Sequence, residues 1–459
     1  MDGAVPEDAH VGAAPRPARY PGRRPAPPAR IMRAPPAAGP MTRSEALYAR
    51  ALRVTPWGTQ TNAKRPDESL AGVMPFYIER ADGCRIQDVD GRWFIDYRSA
   101  LGPILLGYRH LAVEAAVRAQ MEKGVLFSMA SPLEVELAED LTGLIPGLDR
   151  VRFVKTGNDA NACAVRLARA FTGRDKIAVC GYHGSGDWFA CGEGSEAPWF
   201  PRDGNGVPHA LDALVTRIRY GDVEAAEALF AHDGERIAAL VMVPYNWDEV
   251  VAHAFVHRMR ELTERHGALL VFDQVLTGFR LALRGAQEFF GVVPDLTTYA
   301  KALANGYPLA AYGGRADVME TLARVVLTTT YAGETLSLAA ARATLAVLQA
   351  EPVIEHIWAM GRRLAEGFDA LAARAGLPFR AFGLPPAVQF RFDAAPARDE
   401  ALRHAFFAEC YRRGVFAARP FLLNLAHTPA DIDETLGVFE AALDAVAAAP
   451  AFRAPLLPS

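Results

Sequence analysis

Cysteine is scarce in this chain: five in 459 residues, at positions 84, 163, 180, 191 and 410. The count is odd, no CxxC pair occurs and no cysteine stands in a Cys/His cluster, so neither a disulfide framework nor a zinc site is indicated. A reducing cytoplasm fits this usage. Long apolar runs are missing too. None reaches the ~18 residues that a membrane span requires, and residues 237–244 have the length of a buried strand. Neither sign of charge is in excess: 49 Lys and Arg against 53 Asp and Glu leave a formal net charge of -4. That balance carries no electrostatic footprint for nucleic acid or a membrane surface. Internal repeats are absent. What is there, 51% hydrophobic and 22% charged, is an ordinary globular composition. At this length it allows roughly two to four domains and a large core without covalent staples.

Residues 1–40 differ from the rest. Ten of the 32 prolines lie there, mixed with Ala and Arg. Without apolar periodicity such a stretch cannot bury enough surface to fold, and it reads as a disordered tail. It lacks the apolar core of a secretory signal, and Asp2, Glu7, Asp8 and the density of proline argue against an amphipathic transit peptide. A start at Met41 is the other reading.

From Ser44, read as an N-cap, Ala46, Leu47, Ala49 and Leu52 recur on neighbouring helical turns. Residues 76–80, 85–88 and 93–96 alternate and are broken by Asp82-Gly83 and Asp90-Gly91, which predicts a small antiparallel meander. Beyond Leu133 the pattern changes. Residues 151–154, 177–180, 238–243, 269–272 and 296–299 are β-rich, and residues 249–266 between two of them are helical. This alternation predicts an α/β fold with a mostly parallel sheet covered by helices. Residues 334–375 read as helix broken near Pro352, and the last eighty residues mix strand and helix.

Open α/β sheets bind ligands at the carboxyl ends of their strands, and four segments fall there. The first is Lys155-Thr156-Gly157-Asn158-Asp159-Ala160-Asn161. A glycine with small polar residues at a helix N-terminus suits a phosphate, although an ordinary N-capped helix has the same residues. The second is Tyr182-His183-Gly184, whose aromatic ring could stack on a planar ligand or form a packing pair. The third contains Asp273, emerging from the apolar run 269–272. A buried carboxylate needs a cationic partner, and a protonated pyridine nitrogen or a salt bridge to Arg280 would serve. The fourth is Lys301, a candidate Schiff-base nucleophile if its amine is desolvated and a plain surface residue otherwise.

Together these segments resemble the class III, fold-type I pyridoxal-phosphate aminotransferases, in the branch that contains glutamate-1-semialdehyde aminomutase. The resemblance runs from about Thr55 to Leu436. Asp88-Val89-Asp90-Gly91, Phe94-Ile95-Asp96-Tyr97 and Leu101-Gly102-Pro103 begin it. Arg166-Leu167-Ala168-Arg169-Ala170, Thr172-Gly173-Arg174, Gly181-Tyr182-His183-Gly184 and Phe272-Asp273 with Thr277-Gly278-Phe279-Arg280 continue it. Lys301, Gly313-Gly314-Arg315, Gly333-Glu334-Thr335-Leu336 and Ala426-His427-Thr428 complete it.

The resemblance implies a large pyridoxal-phosphate-binding domain at 106–350, with helices on both faces of its sheet. A small α+β domain would be built from both chain ends, 41–105 and 351–459. It implies that Lys301 holds the cofactor as an internal aldimine and shuttles the proton, and that Asp273 pairs with the pyridinium nitrogen. Tyr182, with His183 beside it, would stack on one ring face and Val275 would pack on the other. Gly157 and Asn158 would hold the phosphate, completed by Thr330 of a neighbouring subunit in a homodimer with shared sites. No metal is implied.

Four departures from the family pattern stand out. Asn158 and Asp159 occupy positions where the pattern has Thr or Ser and Glu. Gln274 replaces Glu, which predicts one charge fewer beside the cofactor. Ser185-Gly186 replaces bulkier residues, which predicts a looser pocket wall or a freed loop. Leu101 stands where the aminomutases carry Trp, which makes it a candidate substrate residue. Arg419 lies where some members keep a carboxylate-binding arginine. On Leu101, the expected activity is intermolecular ping-pong transamination from an amino donor such as glutamate to a ketone or aldehyde. An intramolecular aminomutase is the alternative, and a catalytically silent binding protein a third reading.

Overall fold

The computed structural model describes residues 41–194, 196, 205–246, 253–393 and 395–448. The expected tail, 1–40, lies outside them, as does the 249–252 part of the expected helix 249–266. That helix is seen as His253–His266.

The chain opens with the helix Arg43–Ala51, capped by Thr42 and not by Ser44. Thr42 accepts from the Glu45 N–H, and the Glu45 carboxylate accepts in return from the Thr42 N–H. Ser44 was read as the cap because its type is right; the reciprocal Thr42/Glu45 pair satisfies two end donors instead of one. The meander follows as β1 (Ile78–Asp82), β2 (Arg85–Asp88) and β3 (Trp93–Asp96). β1 starts two residues later than the alternation at 76–80 predicts, because Phe76 packs edge-on against Tyr48 of the first helix, with ring centroids 5.4 Å apart.

The central sheet contains β4 (Arg150–Val154), β5 (Lys176–Cys180), β6 (Glu193–Gly194), β7 (Val215–Arg217), β8 (Ile237–Met242), β9 (Leu269–Gln274), β10 (Leu296–Tyr299) and β11 (Ala310–Gly314). Its order is β4-β11-β10-β9-β8-β5-β7-β6, and only the pairings of β11 are antiparallel. The predicted mostly parallel sheet is therefore present. Successive strand residues alternate between two cores. Ala178, Leu240, Leu270 and Phe272 join the helices Val223–Asp233 and His253–His266 on one face. Ile177, Val179, Val241, Leu269 and Val271 join the helix Gly157–Thr172 on the other. Both faces are thus covered, which explains why β8 and β9 are apolar along nearly their whole length.

The helix predicted at 334–375 is two helices, Thr335–Ala350 and Val353–Arg374, divided at Pro352. Proline lacks the N–H that a continuous helix needs there. β12 (Arg380–Phe382), β13 (Ala387–Arg391), β14 (Val415–Phe416) and β15 (Phe421–Leu422) follow. β14 pairs in parallel with β3, so the two ends of the chain share a sheet. We propose the subdivision at 41–105, 106–350 and 351–459 on this basis, within a compact unit spanning Thr42–Ser459. Among the described residues, no helix is long and apolar enough to cross a membrane, and no group of three or more side chains could hold a metal ion.

Candidate active site

β9 and β10 deliver the two central groups. Along β9, Leu269, Val271 and Asp273 share one face, so Asp273 turns toward the helix Gly157–Thr172 while Gln274 turns away. Asp273 is buried and each of its carboxylate oxygens has a hydrogen-bond partner. Oδ2 accepts from Asn161 Nδ2 at 2.7 Å and faces His183 Nδ1 at 2.8 Å, and Oδ1 accepts from the Val275 N–H at 3.0 Å. His183 Nε2 faces the Cys180 carbonyl at 3.1 Å. Asn161 is itself oriented by the Thr298 hydroxyl, which donates to its Oδ1 at 2.7 Å. In strand register Thr298 stands beside Asp273.

The salt bridge from Asp273 to Arg280 does not form. Arg280 is fully buried and donates to two carbonyls, Leu423 at 2.8 Å and Gly102 at 3.0 Å. It ties segments from both ends of the chain over the sheet.

Lys301 follows β10, on the first residue of the short turn Lys301–Ala304. Its backbone is left-handed, φ +46°, a conformation that is costly for a side-chain-bearing residue and that collects at functional sites. Asn305 anchors this turn. Its Oδ1 accepts from Leu105 and Leu106 N–H, both at 2.9 Å, and its Nδ2 donates to Gly107 at 3.0 Å. Some surface of the residue remains accessible, but the amine is enclosed. Burial pushes it down to about 8, opposed by the Asp273 carboxylate and assisted by the Arg280 cation.

The sign of that shift has a measurable consequence. Between about pH 8 and the ordinary lysine range, the folded chain holds this amine neutral while an unfolded chain would protonate it. Stability therefore rises with pH across that window, and the amine is nucleophilic above about 8. An aldehyde with borohydride is accordingly expected to label Lys301 ahead of the other lysines, with a pH midpoint near 8 by peptide mapping. Uniform labelling with a midpoint in the ordinary lysine range would contradict this.

At the first segment, Thr156 caps the helix Gly157–Thr172, and the N–H groups of Gly157 and Asn158 lie in its first turn, before any helical acceptor. Gly157 is required by crowding: a Cβ there would stand 2.7 Å from Val275 Cγ2. Val275 and Gly157 therefore wall the same space. Tyr182 is 48% exposed and meets Phe189 edge-on, at a centroid distance of 5.6 Å.

Two expected consequences of the departures are corrected. Gln274 does not lie next to Asp273 in space. It is buried on the opposite face, where its Nε2 donates to Gln287, Thr297 and Tyr299 at 2.7, 2.7 and 2.9 Å. The missing charge is missing from the other side of the sheet. Nor do Ser185 and Gly186 free a loop: their N–H groups donate to Asn158 Oδ1 at 3.1 and 3.0 Å. The amide of Asn158 spans what a hydroxyl would not, so the two departures are one arrangement, and its Nδ2 remains as a donor.

Thr330 is exposed and belongs to no element that carries Asp273 or Lys301. Leu101 lies next to Gly102, where a Cβ would stand 3.6 Å from Lys301 Cδ. Arg419 is exposed, with Nε donating to Gln389 at 3.0 Å. Four residues that the sequence reading did not single out for a role prove central to the geometry: Asn161, Thr298, Asn305 and Arg280 as a bridge. For Asn161 a signal existed, a polar side chain one turn after Gly157 on a helix face otherwise built of Ala160, Ala164 and Leu167.

The family model for aminotransferase class-III matches residues 68–418. The chain is 36% identical, over 86% of its length, to 95% of a glutamate-1-semialdehyde 2,1-aminomutase of Syntrophobacter fumaroxidans. Among solved structures it is similar to the FumI protein of Sphingopyxis sp. MTA144 in its PLP internal aldimine form. The TM-score is 0.81 at 32% identity, over 88% of this chain and 96% of that one. An omega-transaminase from Sphaerobacter thermophilus matches with a TM-score of 0.80 at 26% identity, over 89% and 98%.

Proposed function

This chain belongs to the class III aminotransferases, a pyridoxal-phosphate-dependent family of fold-type I enzymes, and from that premise we propose that it moves an amino group within one molecule, as a glutamate-1-semialdehyde 2,1-aminomutase-type enzyme. The observation that carries this reading is the 36% identity to a protein of that name across 95% of its length. The transaminase expected from Leu101 gives way to it as the leading reading. It stays as the second, supported by the lack of the tryptophan at Leu101 and by the likeness to an omega-transaminase.

The residues present fit the cofactor. Lys301 offers an enclosed primary amine, Asp273 a buried carboxylate, and the first turn of the helix Gly157–Thr172 unpaired N–H groups beside a space that a Cβ at Gly157 would fill. Pyridoxal phosphate, when bound, supplies an aldehyde that captures amines and a pyridinium ring that takes up the electron pair left at a substrate carbon.

In this reading Asp273 holds the proton on the ring nitrogen, and the bonds from His183 and Asn161 keep its carboxylate in place. His183, beside the cofactor, acts on it through Asp273. Lys301 removes a proton from one substrate carbon and returns it to the neighbouring one, which its lowered pKa allows near neutrality. Tyr182 and Val275 bound the ring, and Gly157, Asn158 and the Thr330 of a second copy hold the phosphate, making a homodimer the active unit. Arg419 is the proposed partner of a substrate carboxylate. The setting we propose for this chain is the reducing cytoplasm.

For a 2,1-aminomutase the amine leaves C2 for C1 as the carbonyl oxygen changes places, and the product is an isomer of the substrate. The test is to supply the semialdehyde with no second carbonyl compound. Complete conversion to the isomer, with a 15N-labelled amine retained, is the expected result. Turnover that stops after one equivalent, and resumes only with an added keto acid, would establish the transaminase instead.

A further inference from the structure

Ser99, Ala100 and Leu101 are three consecutive left-handed residues, with φ of +46°, +54° and +75°, followed by Gly102 at +105°. Left-handed conformations occur singly outside glycine, because the Cβ crowds the carbonyl. A run of three persists only where the surroundings over-determine it, and such strain gathers at functional sites. Here the surroundings are specific. Asp96 accepts from the Arg98 and Ser99 N–H groups at 2.8 and 3.1 Å and from the Tyr108 hydroxyl at 2.8 Å. Arg280 donates to the Gly102 carbonyl at its far end. Between them, the buried Ser99 hydroxyl donates to the Leu422 carbonyl at 3.3 Å and accepts from Asn424 Nδ2 at 3.1 Å. Asn424 is completely buried and is itself held, its Oδ1 accepting from the Ala426 N–H and its own N–H donating to His427 Nδ1, both at 3.1 Å.

This scaffold ends on Gly102, which stands beside the Lys301 side chain. A Cβ on Gly102 would stand 3.6 Å from Lys301 Cδ and 2.5 Å from Leu276 Cδ1. The backbone at Gly102 thus leaves no room for a side chain on this wall.

We propose that Ser99 and Asn424 are positioning residues for the substrate pocket: their hydrogen bond holds the left-handed run 99–101, and with it Gly102 beside Lys301, and so sets which substrate fits there. Neither side chain needs to touch the substrate. The inference rests on Lys301 being the reacting amine.

Ser99→Ala removes the hydroxyl and nothing else, and Asn424→Ala removes the other partner. If either variant fails to fold, the remaining one carries the test. In holoenzyme, amide exchange of the peptide covering 99–106 is expected to quicken at least about tenfold, the scale of one lost buried hydrogen bond. KM for the accepted amine should rise about tenfold with kcat within about twofold, while cofactor dissociation stays unchanged. Ala100→Gly, which relieves strain and leaves the tether, should leave exchange at Ser99 slow. Unchanged exchange over 99–106 in both tether variants would overturn the proposal. So would faster exchange with KM unmoved, or a parallel fall of kcat, cofactor affinity and melting temperature, which marks general support of the fold. A wild-type chain that binds pyridoxal phosphate and reacts with no amine would overturn the functional reading alone, because the exchange comparison does not depend on turnover.

Discussion

Lys301→Ala is expected to lose turnover by more than about 10⁴-fold, the combined scale of a missing covalent and proton-transferring group, and to lose the visible absorbance of covalently held cofactor. Among the described residues, no second lysine stands ready to replace it. Lys155, on the phosphate segment, is tied to Glu334 at 2.9 Å with both side chains mostly enclosed, and that carboxylate also caps the helix Thr335–Ala350. Lys301→Arg keeps a positive charge but supplies no nucleophile at reachable pH, so it should be equally inactive. A small external amine should restore part of the rate to the Ala variant, because the cavity left is the size of the lost side chain. The fold should survive, since Asn305 and not Lys301 anchors the turn. Repeated turnover by the Ala variant, measured with melting temperature as the folding control, would overturn the assignment of Lys301.

Asp273→Asn is expected to cost on the order of 10²–10³-fold in kcat, the range for removing one preorganised charge from a reaction centre. The substitution preserves volume but not hydrogen bonding. Oδ2 accepts from Asn161 and faces His183. An amide nitrogen placed there meets the Asn161 donor, and one turned the other way meets the Val275 N–H. A buried mismatch of this kind also costs about 1–3 kcal/mol of stability, readable as a lower melting temperature. Kinetics and melting separate the two effects. A fall in stability with kcat changed less than about fivefold would leave Asp273 a structural residue.

Much of the fold was legible from local pattern. β10 begins and ends where the β-rich run 296–299 does, and the break at Pro352 falls between two helices as proline chemistry requires. The alternation of strands and helices gave the parallel sheet. Errors came where two local signals competed. Ser44 is a good cap type, but the Thr42/Glu45 pair forms a reciprocal box. Phe76 alternates like a strand residue, yet packs on Tyr48.

In the site, local reading failed for a different reason. Gln274 adjoins Asp273 in sequence and is therefore on the other face of the sheet, since strand side chains alternate. Ser185 and Gly186 look like a loosening because they are small, yet small residues let two N–H groups reach Asn158. In each case what mattered was the direction in which a backbone or side chain points.

The sequence by itself determined the kinds of chemistry and their order along the chain: an amine after one strand, a carboxylate ending another, and small residues at a helix start. These follow from local rules, because periodicity encodes burial and residue type encodes reactivity. Only the tertiary structure decided who meets whom. Asn161 reaches Asp273 across 112 residues, Asn305 reaches Leu105 across 200, and Asn424 reaches Ser99 across 325. The physical reason is that a buried donor or acceptor must find a partner, but no local property of either residue says which. Strand order and the meeting of the 99–106 and 422–427 segments make that choice. It turns a reactive lysine into one held, enclosed and poised at about 8.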